Sequence, residues 1–154
     1  MNIRKNPVFY IFGFLIFLNI LTGIVVFDLS KVQFLEVNFF DVGQGDAIFI
    51  TSPKGHQILI DGGPGSAILE KLAKEMPFWD RTIDLVILTH PERDHMNGLL
   101  EVLKNYQVEN ILWTGVVRDT QEFKEWARAT AEEKANIVIA QNGQKITILA
   151  DKLQ

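Results

Sequence analysis

The stretch that decides the fold runs from residue 83 to residue 98 and reads Ile83-Asp84-Leu85-Val86-Ile87-Leu88-Thr89-His90-Pro91-Glu92-Arg93-Asp94-His95-Met96-Asn97-Gly98. Its first part is almost continuously apolar, which is typical of a strand covered on both faces of a sheet. Two histidines and two acids then follow between His90 and His95. Ligands of open α/β sheets bind beyond the carboxyl ends of the strands, so this composition in this place predicts a metal site.

A further carboxylate, Asp61, is predicted at the end of a neighbouring strand. The segment from Gln57 to Ile60 has strand character and runs directly into Asp61-Gly62-Gly63. An Asp-Gly pair is also common in ordinary turns, so Asp61 gains weight only beside the motif that ends at His95. His56, in the turn before this strand, is expected to be a solvent-exposed side chain rather than a ligand.

The remaining pattern predicts an α/β domain whose strands and helices follow one another along the chain. Strands are predicted over 32–42, 47–51, 57–60, 83–88, 108–113, 136–140 and 145–149, with tight turns at Gly43–Asp46 and Asn142–Gly143. Helices are predicted from a Ser66 cap to Pro77, from about Leu99 to Tyr106, and from a capping box at Asp119–Glu122 to about Lys134. Trp113, Phe123 and Trp126 are predicted to be core or half-buried residues rather than a stacking platform.

The chemistry of the motif follows from the residue types available. The chain has no cysteine, so any metal ion must be held by histidine and carboxylate side chains. Imidazole nitrogen suits zinc, with manganese or iron as alternatives because carboxylates favour harder ions. Pro91 holds His90 in an extended conformation, so the chain leaves the strand as a loop. The competing interpretation is a histidine and a few acids on a solvated surface.

The amino-terminal segment predicts a membrane anchor. No charged residue lies between Lys5 and Asp28, and Val8 to Phe27 is rich in Phe, Ile, Leu and Val. A helix of this length crosses a hydrocarbon core of about 30 Å. A cleaved signal peptide is the alternative, but the apolar run is long and no small-residue cleavage pattern follows it.

The positions of the basic residues predict how the anchor is oriented. Arg4 and Lys5 precede the apolar run, which places the amino terminus in the cytoplasm. The prediction is a single-pass plasma-membrane protein with an anchor over 1–28 and an extracytoplasmic domain over 29–154. The net charge of the whole chain is −4, and the part after the anchor is more acidic still because both of these cations precede it. This sign does not suit a free-standing nucleic-acid binder.

The residues quoted so far resemble the metallo-β-lactamase superfamily, whose signature is His-x-His-x-Asp-His after a buried strand and an Asp-Gly strand end. The resemblance is most specific to the hydrolase-like domain of competence-type DNA-internalisation (ComEC-like) proteins. It rests on Phe39–Ala47, Leu59–Gly63 and Leu88–His95, within residues 35 to about 115. It implies a metallo-β-lactamase-like αββα sandwich of which this chain, preceded by one transmembrane helix, supplies the amino-terminal half.

The same resemblance implies roles for individual residues. His90 would bind a first metal ion, and Asp94 and His95 would bind a second, with Asp94 near the reacting group. Glu92 stands where the common pattern has histidine, and it is predicted as a carboxylate ligand. Asp61 and Asp46 would be supporting carboxylates that orient the site. The implied cofactor is one or two divalent ions, zinc first.

The family resemblance also implies partners that the motif requires from later in the fold. The family completes its site with further histidine and aspartate residues, and no histidine follows His95. We therefore expect the 154 residues to cover only the first half of the fold. An uncovered sheet face and open edges would then favour homo-oligomers.

Three hypotheses follow for function. The first is a membrane-anchored metal-dependent hydrolase, acting on phosphodiesters such as DNA in a competence-like role, where the nucleic-acid substrate rests on the resemblance alone. The second is a non-catalytic, truncated domain tethered to the membrane by residues 8–27 for binding or assembly. The third is that the sequence is a piece of a longer enzyme.

Overall fold

The computed structural model of the chain describes residues 7–29 and 34–148. The chain divides into two compact units, residues 1–33 and residues 34–154. The first contains helix α1, Pro7–Leu29. Within the described ranges, Pro7–Val26 is the single helical stretch long and apolar enough to cross a membrane. Its two polar side chains, Asn19 and Thr22, donate hydrogen bonds to carbonyls four residues earlier, which satisfies them inside the helix.

The second unit is built on a mixed sheet of six strands that lie side by side in chain order. The strands are β1 (Glu36–Phe39), β2 (Ile48–Thr51), β3 (Gln57–Ile60), β4 (Thr82–Leu88), β5 (Gln107–Trp113) and β6 (Asn136–Ile139). The first three pair antiparallel and form a meander, whereas β3 to β6 run parallel. The carboxyl ends of β3, β4, β5 and β6 therefore lie at the same end of the sheet.

Three helices connect the parallel strands: α2 (Ala67–Glu75), α3 (Arg93–Asn105) and α4 (Gln121–Glu132). Right-handed crossovers between sequentially ordered strands place their helices on one face of a sheet. The core lies between that face and the helices, and it includes Phe49, Leu59, Ile68, Leu72, Val86, Leu88, Leu99, Val102, Ile111, Phe123 and Trp126. Burial of these side chains supplies most of the stabilisation of the unit.

The predicted α/β class is confirmed, and so is the core position of Phe123, Trp126 and the half-buried Trp113. The sheet and its helices are the outer α layer and the first β layer of the predicted sandwich. The opposite face of the sheet carries half-buried apolar side chains: Ile48, Ile50, Ile60, Ile87, Leu112 and Val138. The capping box at the start of α4 is seen as a hydrogen bond from the Phe123 amide to the Thr120 hydroxyl.

The structure corrects three of the sequence predictions. First, α3 begins at Arg93 rather than near Leu99, so Asp94 and His95 lie in the first helical turn and not in a loop. The helix can start this early because Glu92, extended after Pro91, serves as its N-cap residue and because Asp94 complements the positive end of the helix dipole.

The second correction concerns the predicted strand over 145–149. Residues 144–147 have no regular structure and Ile148 forms only an isolated bridge, while residue 149 lies outside the described residues. Gln144 to Ile146 instead line a small cavity against Leu85 and Val138 on the open face of the sheet. The predicted first strand is also shorter than expected, and its residues 32 and 33 lie outside the described part.

The third correction concerns His56. Its side chain is largely buried, and Nδ1 lies 3.1 Å from Asp84 Oδ1. The other oxygen of Asp84 accepts a hydrogen bond from the Gln57 amide at 2.7 Å. The pair joins the turn before β3 to the beginning of β4, at the end of the sheet opposite the predicted metal site.

A close backbone contact between Gly62 and Gly98 leads to the first prediction. A Cβ atom on Gly98 would collide with the Gly62 carbonyl. Gly98→Ala is therefore expected to destabilise the unit by about 1–3 kcal/mol, although alanine in a helix is ordinarily favoured by about 1 kcal/mol. Urea unfolding in detergent, followed by tryptophan emission, measures the change. Gly65→Ala is the matched control, because a Cβ there meets no atom within 4 Å; equal stability of both variants would contradict the prediction.

Candidate metal centre

The candidate centre lies where the parallel strands β3 and β4 end. Asp61 follows the last residue of β3, and Thr89 and His90 follow the last residue of β4. The Asp61 amide donates to the Ile87 carbonyl at 2.9 Å, so the pairing of the two strands continues up to the site. Asp61 and His90, which are 29 positions apart in the chain, thereby lie at the same end of the sheet.

The Asp61 carboxylate is buried and is satisfied by three donors. Asp61 is 3% exposed. One oxygen accepts the Thr89 amide at 2.9 Å, and the other accepts the Thr89 hydroxyl at 2.6 Å and His95 Nδ1 at 2.8 Å. A buried charge needs such partners, since burial without them costs several kcal/mol. Asp61 also has a positive φ of 56°, a strained conformation typical of functional positions.

The contact with Asp61 determines the tautomer of His95. An ionised carboxylate can only accept, so His95 Nδ1 must carry the proton. The lone pair of His95 is then on Nε2, the nitrogen that points away from Asp61. A carboxylate behind a histidine in this way fixes the orientation of the ring for metal binding.

Thr89 determines the tautomer of His90 by the same reasoning. The Thr89 hydroxyl donates its single proton to Asp61, so it must accept from His90 Nδ1, which lies 2.9 Å away. His90 Nε2 is therefore the unprotonated nitrogen. The centroids of the His90 and His95 rings are 3.9 Å apart. One aspartate and one threonine thus hold two imidazoles with their ligating nitrogens free.

The residue types at this end of the sheet suit a divalent ion. Ligand atoms of Asp61, His90 and His95 all lie within 4.8 Å of one another. His95 Nε2 is 4.0 Å from Asp94 Oδ1. Zinc bonds to nitrogen and oxygen are about 2.0–2.2 Å long, so two donors on one ion are at most about 4.2 Å apart. Asp94 lies outside the cluster of Asp61, His90 and His95, so its role as a ligand beside the two histidines stays a prediction.

Glycines allow the elements of the centre to approach closely. The Gly62 amide donates to the His95 carbonyl at 2.8 Å, and the Gly98 amide donates to the Gly63 carbonyl at 2.9 Å. The chain after β3 is therefore hydrogen-bonded to the first turns of α3. The turn between β1 and β2 also reaches the centre, because a Cβ on Gly45 would collide with the Asp94 backbone.

Asp46 lies in that turn, and its backbone has a clear structural role. The Asp46 carbonyl accepts the Gly63 amide at 3.1 Å, which ties the turn to the residues after β3. The side chain of Asp46 is exposed. Its supporting role through the carboxylate stays a prediction.

Glu92 points to a different partner from the one expected of a ligand. Its carboxylate is exposed and lies 3.2 Å from Arg118, in the loop that follows β5. It does not belong to the cluster of Asp61, His90 and His95. Arg93 forms a second surface pair with Glu122 of α4 at 3.4 Å. Exposed pairs of this kind contribute about 0–1 kcal/mol each, so they orient the loop more than they stabilise it.

The sequence interpretation did not single out Thr89 and Arg118. Thr89 links His90 to Asp61 by hydrogen bonds. The one feature of the sequence that could have indicated this role was a hydroxyl side chain between the buried strand and the first histidine of the motif. Arg118 lies in an irregular loop 26 positions after Glu92, where no local pattern indicates a contact. The ligand roles of His90, Glu92, Asp94 and His95 stay predictions. The geometry above supports the two histidines and gives no support to Glu92.

The fold and the cluster of Asp61, His90 and His95 define an α/β domain with a candidate metal centre, and comparison with known proteins identifies its family. The model of the beta-lactamase superfamily domain matches residues 56–154. This covers more than half of the chain, and the chain therefore belongs to the beta-lactamase superfamily.

Among curated proteins the chain is similar to ComE operon protein 3 of Bacillus subtilis (strain 168). The two are 27% identical over 131 residues, which is 73% of this chain and 17% of the relative. The chain thus spans about a sixth of the length of that protein. Among solved structures it is similar to the Rm3 metallo-beta-lactamase, with 15% identity, a TM-score of 0.47, and coverage of 75% of this chain and 47% of that one.

The hydrogen bonds of Thr89 lead to the second prediction. Thr89→Val keeps the shape of the side chain but removes the hydroxyl that joins His90 to Asp61. Loss of an outer hydrogen-bond partner typically weakens metal binding by about 10–100-fold. Calorimetric titration with Zn²⁺ and Mn²⁺ measures this. Thr82→Val, at the opposite end of β4, is the matched control and should bind the metal ions as the unaltered chain does. An unchanged affinity in Thr89→Val would contradict the role of the Thr89 hydroxyl in orienting His90.

Proposed function

We propose that the chain is a membrane-anchored, metal-dependent hydrolase of the beta-lactamase superfamily that acts on phosphodiester substrates. The observation that carries this proposal is the hydrogen-bond chain from His90 through Thr89 and Asp61 to His95. This network restricts the side chains and holds Asp61 in a strained conformation, both of which are unfavourable for folding. Binding of an ion by both Nε2 atoms explains why the network is present. A bound divalent ion would supply Lewis-acid activation of water and of the ester.

The residues of the chain have separate roles in this proposal. His90 and His95 would hold the ion through Nε2. Asp61 keeps His95 in the required tautomer directly and His90 through Thr89. Asp94, half-exposed in the first turn of α3, contributes one oxygen and can accept a hydrogen bond from an attacking water molecule. Its charge is favoured there by the positive end of the helix dipole.

The phosphodiester substrate is supported by the resemblance to competence-type DNA-internalisation proteins and by the similarity to ComE operon protein 3. The net charge of the chain, −4, gives no support for tight binding of a polyanion. We therefore propose a substrate that is held locally at the site, through the bound ion and nearby cations such as Arg118, rather than along a basic surface.

A second candidate function is a non-catalytic module tethered to the membrane for binding or assembly. The observation that favours it is the pairing of Glu92 with Arg118, which directs that carboxylate to a neighbouring loop. A centre with fewer ligands than the family pattern would bind its ion more weakly. The two candidates predict different outcomes in the same assay.

The third prediction tests hydrolysis. The full chain, solubilised and loaded with Zn²⁺ or Mn²⁺, is expected to cleave bis(p-nitrophenyl) phosphate. Asp94→Asn should lower kcat by about 100-fold or more, because it removes the carboxylate that receives the proton. Glu132→Gln, an exposed carboxylate on α4 paired with Arg128, is the control and should retain full activity. A folded, metal-binding chain that hydrolyses nothing would instead support the binding module.

The fourth prediction concerns the anchor, Pro7–Val26, and the orientation set by Arg4 and Lys5. We propose that the anchor stays uncleaved and places the second unit outside the cytoplasm. Protease added to intact spheroplasts should digest the second unit, whereas Arg4→Glu combined with Lys5→Glu should increase the protected fraction. Full protection in the unaltered protein would contradict the orientation.

A further inference from the structure

A turn between α2 and β4 carries two large apolar side chains at its tip. The Asp80 amide donates to the Pro77 carbonyl at 2.9 Å, which closes a four-residue turn with Phe78 and Trp79 in its two central positions. These side chains are 82% and 73% exposed. Central turn positions usually hold Gly, Asn, Asp, Ser or Pro, so turn chemistry does not explain this pair.

Hydrogen bonds of Asp80 fix the position of the turn, so Phe78 and Trp79 are held at the surface by a defined structure. One oxygen of Asp80 accepts the Thr82 amide at 3.1 Å, and the other accepts Gln57 Nε2 at 2.8 Å. The turn is therefore fixed to the beginnings of both β3 and β4. The rings of Phe78 and Trp79 pack edge to face with centroids 4.8 Å apart, which presents them as one apolar unit.

The position of the turn within the second unit indicates what the aromatic pair contacts. Glu36 pairs with Thr51, and Thr51 with Gln57, so the beginning of β1 lies at the same end of the sheet as the beginnings of β3 and β4. The chain thus enters the unit, at the exposed Phe34, on the end that carries the turn. Residues 30–33 join Phe34 to α1, and a connection this short reaches at most about 18 Å even when extended.

We propose that the Pro77–Asp80 turn is a membrane-docking tip, with Phe78 and Trp79 inserted into the interfacial layer of the bilayer that α1 crosses. This inference rests on the proposed membrane anchoring. Aromatic residues, tryptophan above all, favour the region between headgroups and acyl chains, where the ring is apolar and the indole N–H stays hydrated. A lipid surface is thus the partner that fits this pair.

The charges at this end of the sheet indicate that docking is apolar rather than electrostatic. Lys54 and Arg81 are exposed there, but Glu36 and Glu75 are exposed as well. Because charges of both signs are present, we expect docking to occur on zwitterionic lipid and to persist at high salt. The metal centre follows the other end of β4, whose seven residues span about 20 Å, so docking leaves it open to the aqueous phase.

The fifth prediction uses Trp79 as its own reporter. The chain has three tryptophans, of which Trp126 is buried and Trp113 is half-buried. The full chain is reconstituted in vesicles of phosphatidylcholine brominated near the headgroup end of its acyl chains. The emission of Trp79 should be quenched by the bromines and should not be quenched by aqueous iodide. Trp79→Phe should lose the quenching by bromine while its far-ultraviolet circular dichroism, which reports the backbone fold, stays unchanged.

A matched control comes from the opposite end of the sheet. Val117, in the loop after β5, is 72% exposed, nearly the same as Trp79. Val117→Trp in the Trp79→Phe background should be quenched by iodide and not by brominated lipid. Equal quenching by lipid at positions 79 and 117, or equal quenching of the chain with and without Trp79, would overturn the docking tip.

Vesicle flotation separates this inference from the anchoring on which it rests. A chain that fails to float with vesicles refutes the anchor and the docking tip together. A chain that floats, but whose Trp79 is reached by iodide and not by lipid bromine, keeps the anchor and refutes the docking tip alone.

Discussion

The buried carboxylate of Asp61 is the constraint on which the candidate centre depends. It is charged, almost inaccessible to water and held at a positive φ, so it is tolerated only while its donors are in place. Those donors come from the end of β4 and the first turn of α3. The same hydrogen bonds that satisfy the charge therefore fix the orientation of both histidines. The hydrogen bonds that stabilise the buried charge are thus the same ones that orient His90 and His95.

The backbone around Asp61 makes this arrangement possible. Parallel pairing of β3 with β4 brings their carboxyl ends together, and Gly62 and Gly98 let the chain after β3 lie directly against α3. Two amide hydrogen bonds join these segments. A side chain at either glycine would push the helix away and lengthen the contact between Asp61 and His95. The close contact thus explains why glycine stands at positions 62 and 98.

The two ends of the sheet differ in chemistry in a way that suits the proposed membrane-tethered hydrolase. One end carries the imidazoles, the acids and the loop of Arg118. The other carries the His56–Asp84 pair, the entry of the chain at Phe34, and the aromatic turn of Phe78 and Trp79. Strands of fixed rise hold these ends apart, so an apolar contact with lipid at one end leaves the polar site accessible at the other.

The sequence by itself determined the α/β class, the bounds of β3, the helices around the apolar stripes, the membrane-span candidate and the identity of the motif, because these depend on local periodicity and residue type. It did not determine that α3 begins at Arg93, that His56 is buried beside Asp84, or that Glu92 pairs with Arg118. Nor did it indicate the role of Thr89, whose hydroxyl acts only when Asp61 lies opposite. The start of α3 depends on the local cap at Glu92. The other features depend on contacts between residues 26 to 34 positions apart, and only the tertiary structure decides which of them meet.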